Sequence, residues 1–323
     1  MRKIIIKALV LVCLVLFASM TFAGDKPVDN PVTKEREPWF KPTLSVGYAF
    51  NSDTHIKFDS DIGLFGVRNI DLKIPGFSGV YLAAELPFAL TDRFKLTLGG
   101  RLAFPGSNRG ATEAYNVVVA SRDWESNDRY WVTADLLLSY AFVKNVSCLK
   151  DLSAIIGFRW DYQTMSFDNP HNVLGVASLP WDTISFRMYT YTPVFGLTST
   201  FKGFKSGIFG GDVKLGIFGS PIGWGNAKYS EEFDAGGIRI RFDGDLNRVS
   251  FFKILGDFTV LSGKITPGIE ASLSFFAQYT KFFTRERLSG VADIGGVPVG
   301  ISDYNFKMHP DLATLGIKAS IAF

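Results

Sequence analysis

Cysteine and histidine are scarce in this chain of 323 residues, which contains two cysteines and three histidines. Cys13 lies in an apolar N-terminal stretch, so Cys148 is alone in the remainder of the chain and no disulfide can form there. His55, His171 and His309 are far apart, and no two of them stand at metal-ligand spacing. The sequence therefore predicts no disulfide framework, no histidine-based metal site and no cofactor.

Long apolar runs are also absent after the first residues, so no segment there could cross a bilayer as a helix. Residues 1–23 combine a basic start, an apolar run to about Phe17 and small residues up to Ala23. This pattern predicts a secretory signal peptide cleaved after Ala23, with an uncleaved membrane anchor as the alternative. Because small residues do not precede Cys13, we expect no lipid anchor there. The predicted export excludes nucleic acid as a partner, and the net charge of +3 favours no particular one.

Aromatic residues and glycine are abundant, with 30 phenylalanines and 32 glycines in a chain that is 47% hydrophobic. Many segments alternate strictly, as in IIGFRWDYQ at 155–163, where apolar or aromatic residues take every second position. A period of two is the strand period, and it predicts one apolar face and one polar face. Segments of this kind occur at 43–50, 79–88, 94–104, 133–142, 155–163, 190–201, 211–219, 252–260, 269–279 and 313–323.

The connections between these segments alternate between short and long. Short periplasmic turns and long external loops are typical of outer-membrane barrels. We therefore predict an all-β fold: a closed antiparallel transmembrane β-barrel of about ten strands over 43–323, after a periplasmic lead-in at 24–42. The apolar face would contact lipid of a bacterial outer membrane, whereas a soluble lipocalin-like barrel would turn it inward. The C-terminal Phe323 resembles the signal that such barrels present to the barrel-assembly machinery.

The polar faces carry nearly equal numbers of acids and bases, which the barrel would turn into its lumen. In a barrel this narrow we expect them to form ion pairs that fill the interior, since an unpaired buried charge is costly. A selective pore or a charged ligand site is the alternative. The predicted network comprises Glu85, Arg101, Asp135, Arg159, Asp161, Asp212, Lys214, Lys253, Asp257 and Glu270.

Short patches suggest a family resemblance. SRDW at 121–124, TPVFGLTSTF at 192–201, the pair Gly223-Trp224 and the closing LGIKASIAF are similar to segments of the omptin family of outer-membrane proteases. The resemblance implies an acidic pair in the second long loop and an Asp–His pair in the fourth, which together activate a water molecule. Here Ser121 replaces the first acid, Asp123 matches the second, and the fourth loop lacks histidine.

These departures weigh against an enzyme, because no imidazole is present there to accept a proton near neutral pH. Asp123 is the one candidate catalytic residue, and a loop turn is the simpler role for it. In the fourth loop, Glu231, Arg239 and Arg241 are candidates for a rim that contacts lipopolysaccharide phosphates or a cationic peptide. A solvated hairpin is the simpler interpretation of these three residues.

We expect a non-catalytic omptin-like barrel that acts through its outer loops in binding, adhesion or envelope structure. One alternative is a hydrolase with a rearranged site, in which His55 or His171 supplies the missing imidazole. The other is a narrow channel or a transporter of hydrophobic solutes. The sequence leaves the oligomeric state open.

Overall fold

The computed structural model describes residues 39–51, 54–64, 67–74, 78–105, 112–115, 121–172, 183–203, 205–206, 208–233, 237–308 and 311–323. Over these ranges the chain forms one sheet of 18 antiparallel strands. Among the same residues, no helix is long and apolar enough to span a membrane. The strands are β1 (Thr43–Asn51), β2 (Thr54–Leu64), β3 (Val67–Ile74), β4 (Ser78–Ala89), β5 (Phe94–Pro105), β6 (Thr112–Tyr115), β7 (Ser121–Val146), β8 (Leu149–Asn172), β9 (Thr183–Phe201), β10 (Lys205–Ser206), β11 (Phe209–Gly210), β12 (Val213–Ser220), β13 (Trp224–Phe233), β14 (Ile238–Leu246), β15 (Val249–Thr266), β16 (Ile269–Ile294), β17 (Val297–Met308) and β18 (Asp311–Ala322).

Ten of these strands close into a barrel. Around the ring they run β1, β4, β5, β7, β8, β9, β12, β15, β16 and β18, and β18 pairs with β1 to complete the circle. Closure leaves no unpaired edge, which a sheet in hydrocarbon requires. Each of the ten alternating segments contributes to a different one of these strands, so the predicted antiparallel ten-stranded barrel is confirmed.

The outer face of the barrel is apolar, as the alternation predicts. On β1, Val46, Tyr48 and Phe50 are exposed by 50%, 44% and 59%. On β18, Leu315 and Ile317 continue the same surface beside them. A continuous exposed surface of this composition is unfavourable in water and favourable in a bilayer.

The long connections are largely strands rather than loops. The strands β17, β2, β3, β6, β13 and β14 pair with one another and with the distal parts of β7, β8, β9 and β16. These ten strand segments close a second ring, which we call the extension. The prediction of long loops missed it, because the ring depends on pairing between distant segments that local periodicity does not show.

The extension has a packed interior on the side formed by β8, β9, β13, β14 and β16. Alternate residues of these strands point inward, and Phe167, Ile184, Phe186 and Leu288 have no exposed surface. Burial of this extent gives this side of the extension a close-packed core. The buried apolar residues here are Met165, Phe167, Ile184, Phe186, Met188, Ala227, Tyr229, Ile240, Phe242, Leu246, Leu288 and Ala292.

The chain enters the barrel through a short aromatic contact. Phe40 bridges to Phe88 near the end of β4, with ring centroids 4.8 Å apart, and the Ala89 amide donates to the Trp39 carbonyl. At the other end of the chain, the Phe323 amide donates to the Pro42 carbonyl. The predicted signal peptide at 1–23 and most of the lead-in at 24–42 lie outside the described residues.

Candidate functional site

The lumen is blocked by an apolar cluster, which we call the aromatic plug: Trp131, Val194, Phe218, Phe251 and Phe282. Four of its members are buried residues on the inward faces of β9, β12, β15 and β16. Trp131 packs against them from β7. The ring centroids of Phe282 lie 6.0 Å from Trp131 and 6.1 Å from Phe251. Such a cluster leaves no wide aqueous passage through this level of the barrel.

Beside the aromatic plug lies a buried ion pair. The Arg159 guanidinium donates to both carboxylate oxygens of Asp161, at 2.6 and 2.7 Å, and the two side chains are 5% and 1% exposed. Trp131 Nε1 and Thr133 Oγ1 also donate to Asp161, at 3.0 and 2.9 Å. Bidentate geometry and the added donors compensate for the desolvation of both charges. The Arg159 guanidinium also lies 5.5 Å from the Phe251 ring.

Other predicted lumen residues line a cavity of about 130 Å³. Glu85, Arg101, Asp257 and Lys318 all contribute to its wall. Lys318 forms an ion pair with Asp257, and Arg101 donates to Gln278 at 3.4 Å. In this part of the lumen, acids and bases therefore lie together, and Lys318 and Asp257 form an ion pair.

Two predicted lumen acids lie near the ends of strands instead. Glu270 accepts from Lys41 at 2.5 Å, and Asp212 accepts from Lys150 at 2.5 Å. Both pairs are partly exposed, so they contribute little to stability. Lys214 is exposed and stands opposite Asp257 in the register of β12 and β15.

The remaining predicted residues line a second, smaller cavity of about 40 Å³. Lys253 and Asp135 line it together with Arg101 and Arg159. Lys253 is 3% exposed. Apolar side chains of the aromatic plug complete the wall, so the charges here lie in a setting of low dielectric constant.

The predicted rim residues do not form one exposed cluster. Arg239 and Arg241 are exposed, and they pair with Glu232 at 2.7 Å and Asp293 at 3.6 Å. Glu231 is 3% exposed, and the Tyr229 hydroxyl donates to its Oε1 at 2.5 Å. The expectation of an exposed Glu231 is thus wrong. Glu231 lies two residues after Tyr229 in β13, so both side chains point to the interior of the extension.

On the outward face of the same hairpin, Lys228 pairs with Asp243 at 2.6 Å. The hydrogen bond that Lys228 donates to Asp243, and then the charge of Asp243, raise the pKa of Lys228. Partial desolvation would raise the pKa of Asp243, but the hydrogen bonds from Lys228 and Asn226 and the charge of Lys228 hold it below its usual value. Both residues are therefore charged at neutral pH.

Asp123 lies near the start of β7, in the extension. In the backbone register it stands opposite His171 of β8 and opposite Thr112 of β6. His55 stands opposite Lys73 instead, four strands away from His171 in the same ring. His309 lies outside the described residues. Across the described part of the chain, no group of three or more acids, histidines or cysteines could hold a metal ion.

Sequence analysis missed the aromatic plug, although its signal was present. Val194, Phe218, Phe251 and Phe282 occupy positions whose parity is opposite to the lipid-facing residues of their strands. Large apolar residues at inward positions of a barrel indicate a filled interior. Their meeting at one level depends on strand register, which the sequence does not provide.

Comparisons with known proteins find likeness at the level of fold. No protein-family model and no curated protein matches the chain. The outer membrane protease OmpT from Escherichia coli matches with a TM-score of 0.62 and 11% identity, over 86% of this chain and 96% of OmpT. The translocator domain of the autotransporter NalP from Neisseria meningitidis matches with a TM-score of 0.33 and 10% identity, over 90% of this chain and 89% of that domain. A FadL homologue from Pseudomonas aeruginosa matches with a TM-score of 0.25 and 9% identity, over 88% of this chain and 90% of its own.

The closed barrel with its apolar outer surface defines a transmembrane β-barrel of the outer-membrane type, and the likeness to OmpT agrees with this class. At 11% identity that likeness concerns the fold alone. The two lower scores carry no further argument.

Proposed function

We propose that this protein is a non-catalytic outer-membrane barrel that binds a macromolecular partner through the apex of its extension. The observation that carries the proposal is an exposed apolar tip on the β16–β17 hairpin. Ile294, Val297 and Val299 are exposed by 46%, 62% and 45%. The hairpin turns at Gly295 and Gly296, both at positive φ.

The apex is too far from the lipid-facing surface for the bilayer to cover it. Phe283, the last exposed aromatic residue of β16, precedes Ile294 by 11 residues. At about 3.3 Å per strand residue, the apex extends roughly 35 Å along the strand beyond Phe283. Exposed apolar side chains clustered in water mark a contact surface. The filled interior below supports binding rather than transport.

The test compares adherence of cells that display the protein with cells that display Ile294→Ser, Val297→Ser and Val299→Ser together. Surfaces coated with fibronectin, laminin or collagen are the probes. We expect the protein to raise adherence to at least one coating and the triple variant to lose most of the increase. The control is Ile222→Ser, which alters an isoleucine that is 61% exposed but lies outside the apex. Equal adherence of the triple variant, or no adherence of the unaltered protein, contradicts the proposal.

Lipopolysaccharide is a second partner within this proposal. Arg187 and Lys228 stand opposite each other in the register of β9 and β13, and both are exposed. On the same outward face, Tyr189 and Trp224 lie nearer the bilayer and are exposed by 38% and 47%. Aromatic residues are typical of the membrane interface, so the two cations stand at the level of headgroup phosphates.

The measurement is the thermal unfolding midpoint in detergent, with and without added lipopolysaccharide. Replacing Arg187 and Lys228 by glutamine should remove most of the stabilisation that lipopolysaccharide gives. Lys264→Gln, a change at the opposite end of the barrel, should retain it. Identical stabilisation of the double variant would exclude this partner site.

A hydrolase is the second candidate, and one observation favours it. Asp123 and His171 stand opposite each other in the register of β7 and β8. A carboxylate and an imidazole can together activate water, as the omptin resemblance implies. In this scheme His171 supplies the imidazole that the fourth loop lacks.

A mixed peptide library incubated with the refolded protein separates the two candidates. Cleavage that disappears in both Asp123→Ala and His171→Ala would establish the hydrolase and reject the non-catalytic proposal. His55→Ala is the matched control, because its register partner is Lys73 rather than an acid. Absence of cleavage by demonstrably folded protein would eliminate the hydrolase.

A further inference from the structure

We propose that the barrel lumen contains a binding site for one small zwitterion, an α-amino acid of the size of glycine or alanine, held between Glu85 and Arg101. Both side chains line the cavity of about 130 Å³ beside the aromatic plug. Arg101 of β5 stands opposite Ala83 of β4, two residues before Glu85. Glu85 and Arg101 are thus diagonal neighbours on the inward face of the sheet, at a separation that long side chains can bridge.

The two charges face the same cavity without meeting. Among the described residues, Glu85 forms no hydrogen bond or ion pair, and Arg101 donates one long hydrogen bond, of 3.4 Å, to Gln278. The charges of Lys214 and Lys95 also act on Glu85, but neither lysine lines the cavity. A carboxylate and a guanidinium with open hydrogen-bonding positions are therefore available to a ligand.

The other charges on the wall of this cavity are already matched. Lys318 pairs with Asp257, and Arg159 pairs with Asp161 behind the wall. Because the wall is balanced as a whole, it favours a ligand without net charge. A simple anion or cation would match one of the two facing charges and leave the other uncompensated, whereas a zwitterion matches both.

The walls and the volume suit a small amino acid. Tyr81, Trp131 and Phe276 contribute aromatic rings, which keep water from part of the cavity and strengthen charge interactions there. A cavity of about 150 Å³ can hold one benzene molecule, so this one has room for a molecule of similar size, such as alanine.

Glu85 also indicates the route of entry. It stands opposite Thr43, the first residue of β1, at the end of the barrel away from the extension. A ligand would enter from that end, with its ammonium group donating to Glu85 and its carboxylate accepting from Arg101. The site does not depend on the function proposed for the apex.

The first experiment measures the binding of radiolabelled L-alanine to detergent-refolded protein by equilibrium dialysis. We expect saturable binding of one molecule per chain. Propionate lacks the ammonium group and ethylammonium lacks the carboxylate. Each should compete at least about tenfold more weakly than unlabelled alanine, because each leaves one charge of the cavity unmatched. No saturable binding, or equal competition by either compound, overturns the proposal.

Two variants assign the two charges. Glu85→Gln should weaken alanine binding by about tenfold and make propionate compete as well as alanine. Arg101→Gln should weaken it similarly and make ethylammonium compete as well as alanine. A general loosening of the barrel would not produce these opposite preferences. The control is Lys214→Gln, which alters an exposed cation outside the cavity wall and should leave the affinity unchanged. An unaltered preference in either charge variant overturns the assignment.

A third pair of variants tests the location without changing any charge. Ala83 lines the cavity, so the larger side chain of Ala83→Leu should occupy the ligand's space and abolish binding. Ala84→Leu is the control, because Ala84 shares the outward face of β4 with the exposed Val80. Retained binding in Ala83→Leu overturns the location. If a variant does not fold, the competition by propionate and ethylammonium on the unaltered protein still decides whether a zwitterion is bound.

Discussion

At the scale of residues, the lumen shows two ways of placing charge inside a barrel. Asp161 has four donated hydrogen bonds from Arg159, Trp131 and Thr133, so its charge is fully compensated. Asp135, which stands opposite Arg159 in the register of β7 and β8, lines a cavity instead. This contrast predicts different costs for the same chemical change at two neighbouring aspartates.

Asp161→Asn should destabilise the barrel by about 3–5 kcal/mol, because it leaves the buried Arg159 uncompensated. Urea unfolding in detergent micelles measures the change. Asp135→Asn is the matched control, and we expect a smaller loss for it, because its carboxylate lines a cavity instead of accepting the four hydrogen bonds that Asp161 accepts. Equal losses for the two variants would contradict the assignment of Asp161 as the central acid of the lumen. The double change Arg159→Met with Asp161→Leu should recover most of the stability.

At the scale of elements, the β16–β17 hairpin carries the apex on a turn that needs glycine. Gly295 and Gly296 have φ of +59° and +87°, as a two-residue hairpin turn requires. Residues with a Cβ are strained there by roughly 1–2 kcal/mol each. The two glycines therefore stabilise the β16–β17 pairing near the apex, far from the bilayer.

Replacing both turn glycines by alanine should loosen the hairpin without affecting the barrel. We expect faster cleavage by trypsin at Arg285 or Arg287 in limited proteolysis, with an unchanged unfolding midpoint. Gly300→Ala is the control, since its φ is not positive and nothing lies within 4 Å of an added Cβ. If the unfolding midpoint falls together with the faster cleavage, the extension and the barrel unfold as one unit.

Sequence alternation located the barrel strands but not the inward face of β13. Strict alternation located all ten barrel strands, since lipid on one side and a polar lumen on the other enforce a period of two. In β13 the same rule applies, but charged residues on both faces concealed it. Glu231 was therefore expected on the rim although it shares the inward face with Tyr229.

At the scale of the whole molecule, the barrel and the extension form two stacked rings that share β7, β8, β9 and β16. The lower ring is closed by the aromatic plug and the ion pairs, and the upper ring has a packed core on the side that the structure describes. The interior of the lower ring therefore resists the passage of solutes.

We expect no stepwise conductance when the protein is reconstituted in planar bilayers. The combined change Phe251→Ala and Phe282→Ala removes two rings of the aromatic plug and should produce small conductance steps. Phe252→Ala and Phe283→Ala together form the control, because these rings lie on the outer face. Large steps from the unaltered protein would revive the channel alternative.

The sequence by itself determined the strands, their faces and the kind of solvent around them. Those properties follow from period-two alternation, which is local. They also follow from the bilayer, which favours apolar residues on the lipid-facing side of every strand. Only the tertiary structure decided what fills the interior. The aromatic plug, the cavity at Lys253, the position of Asp123 opposite His171 and the second ring all depend on register between strands that are distant in sequence. Register is set by closure of the whole ring, so no single segment carries it.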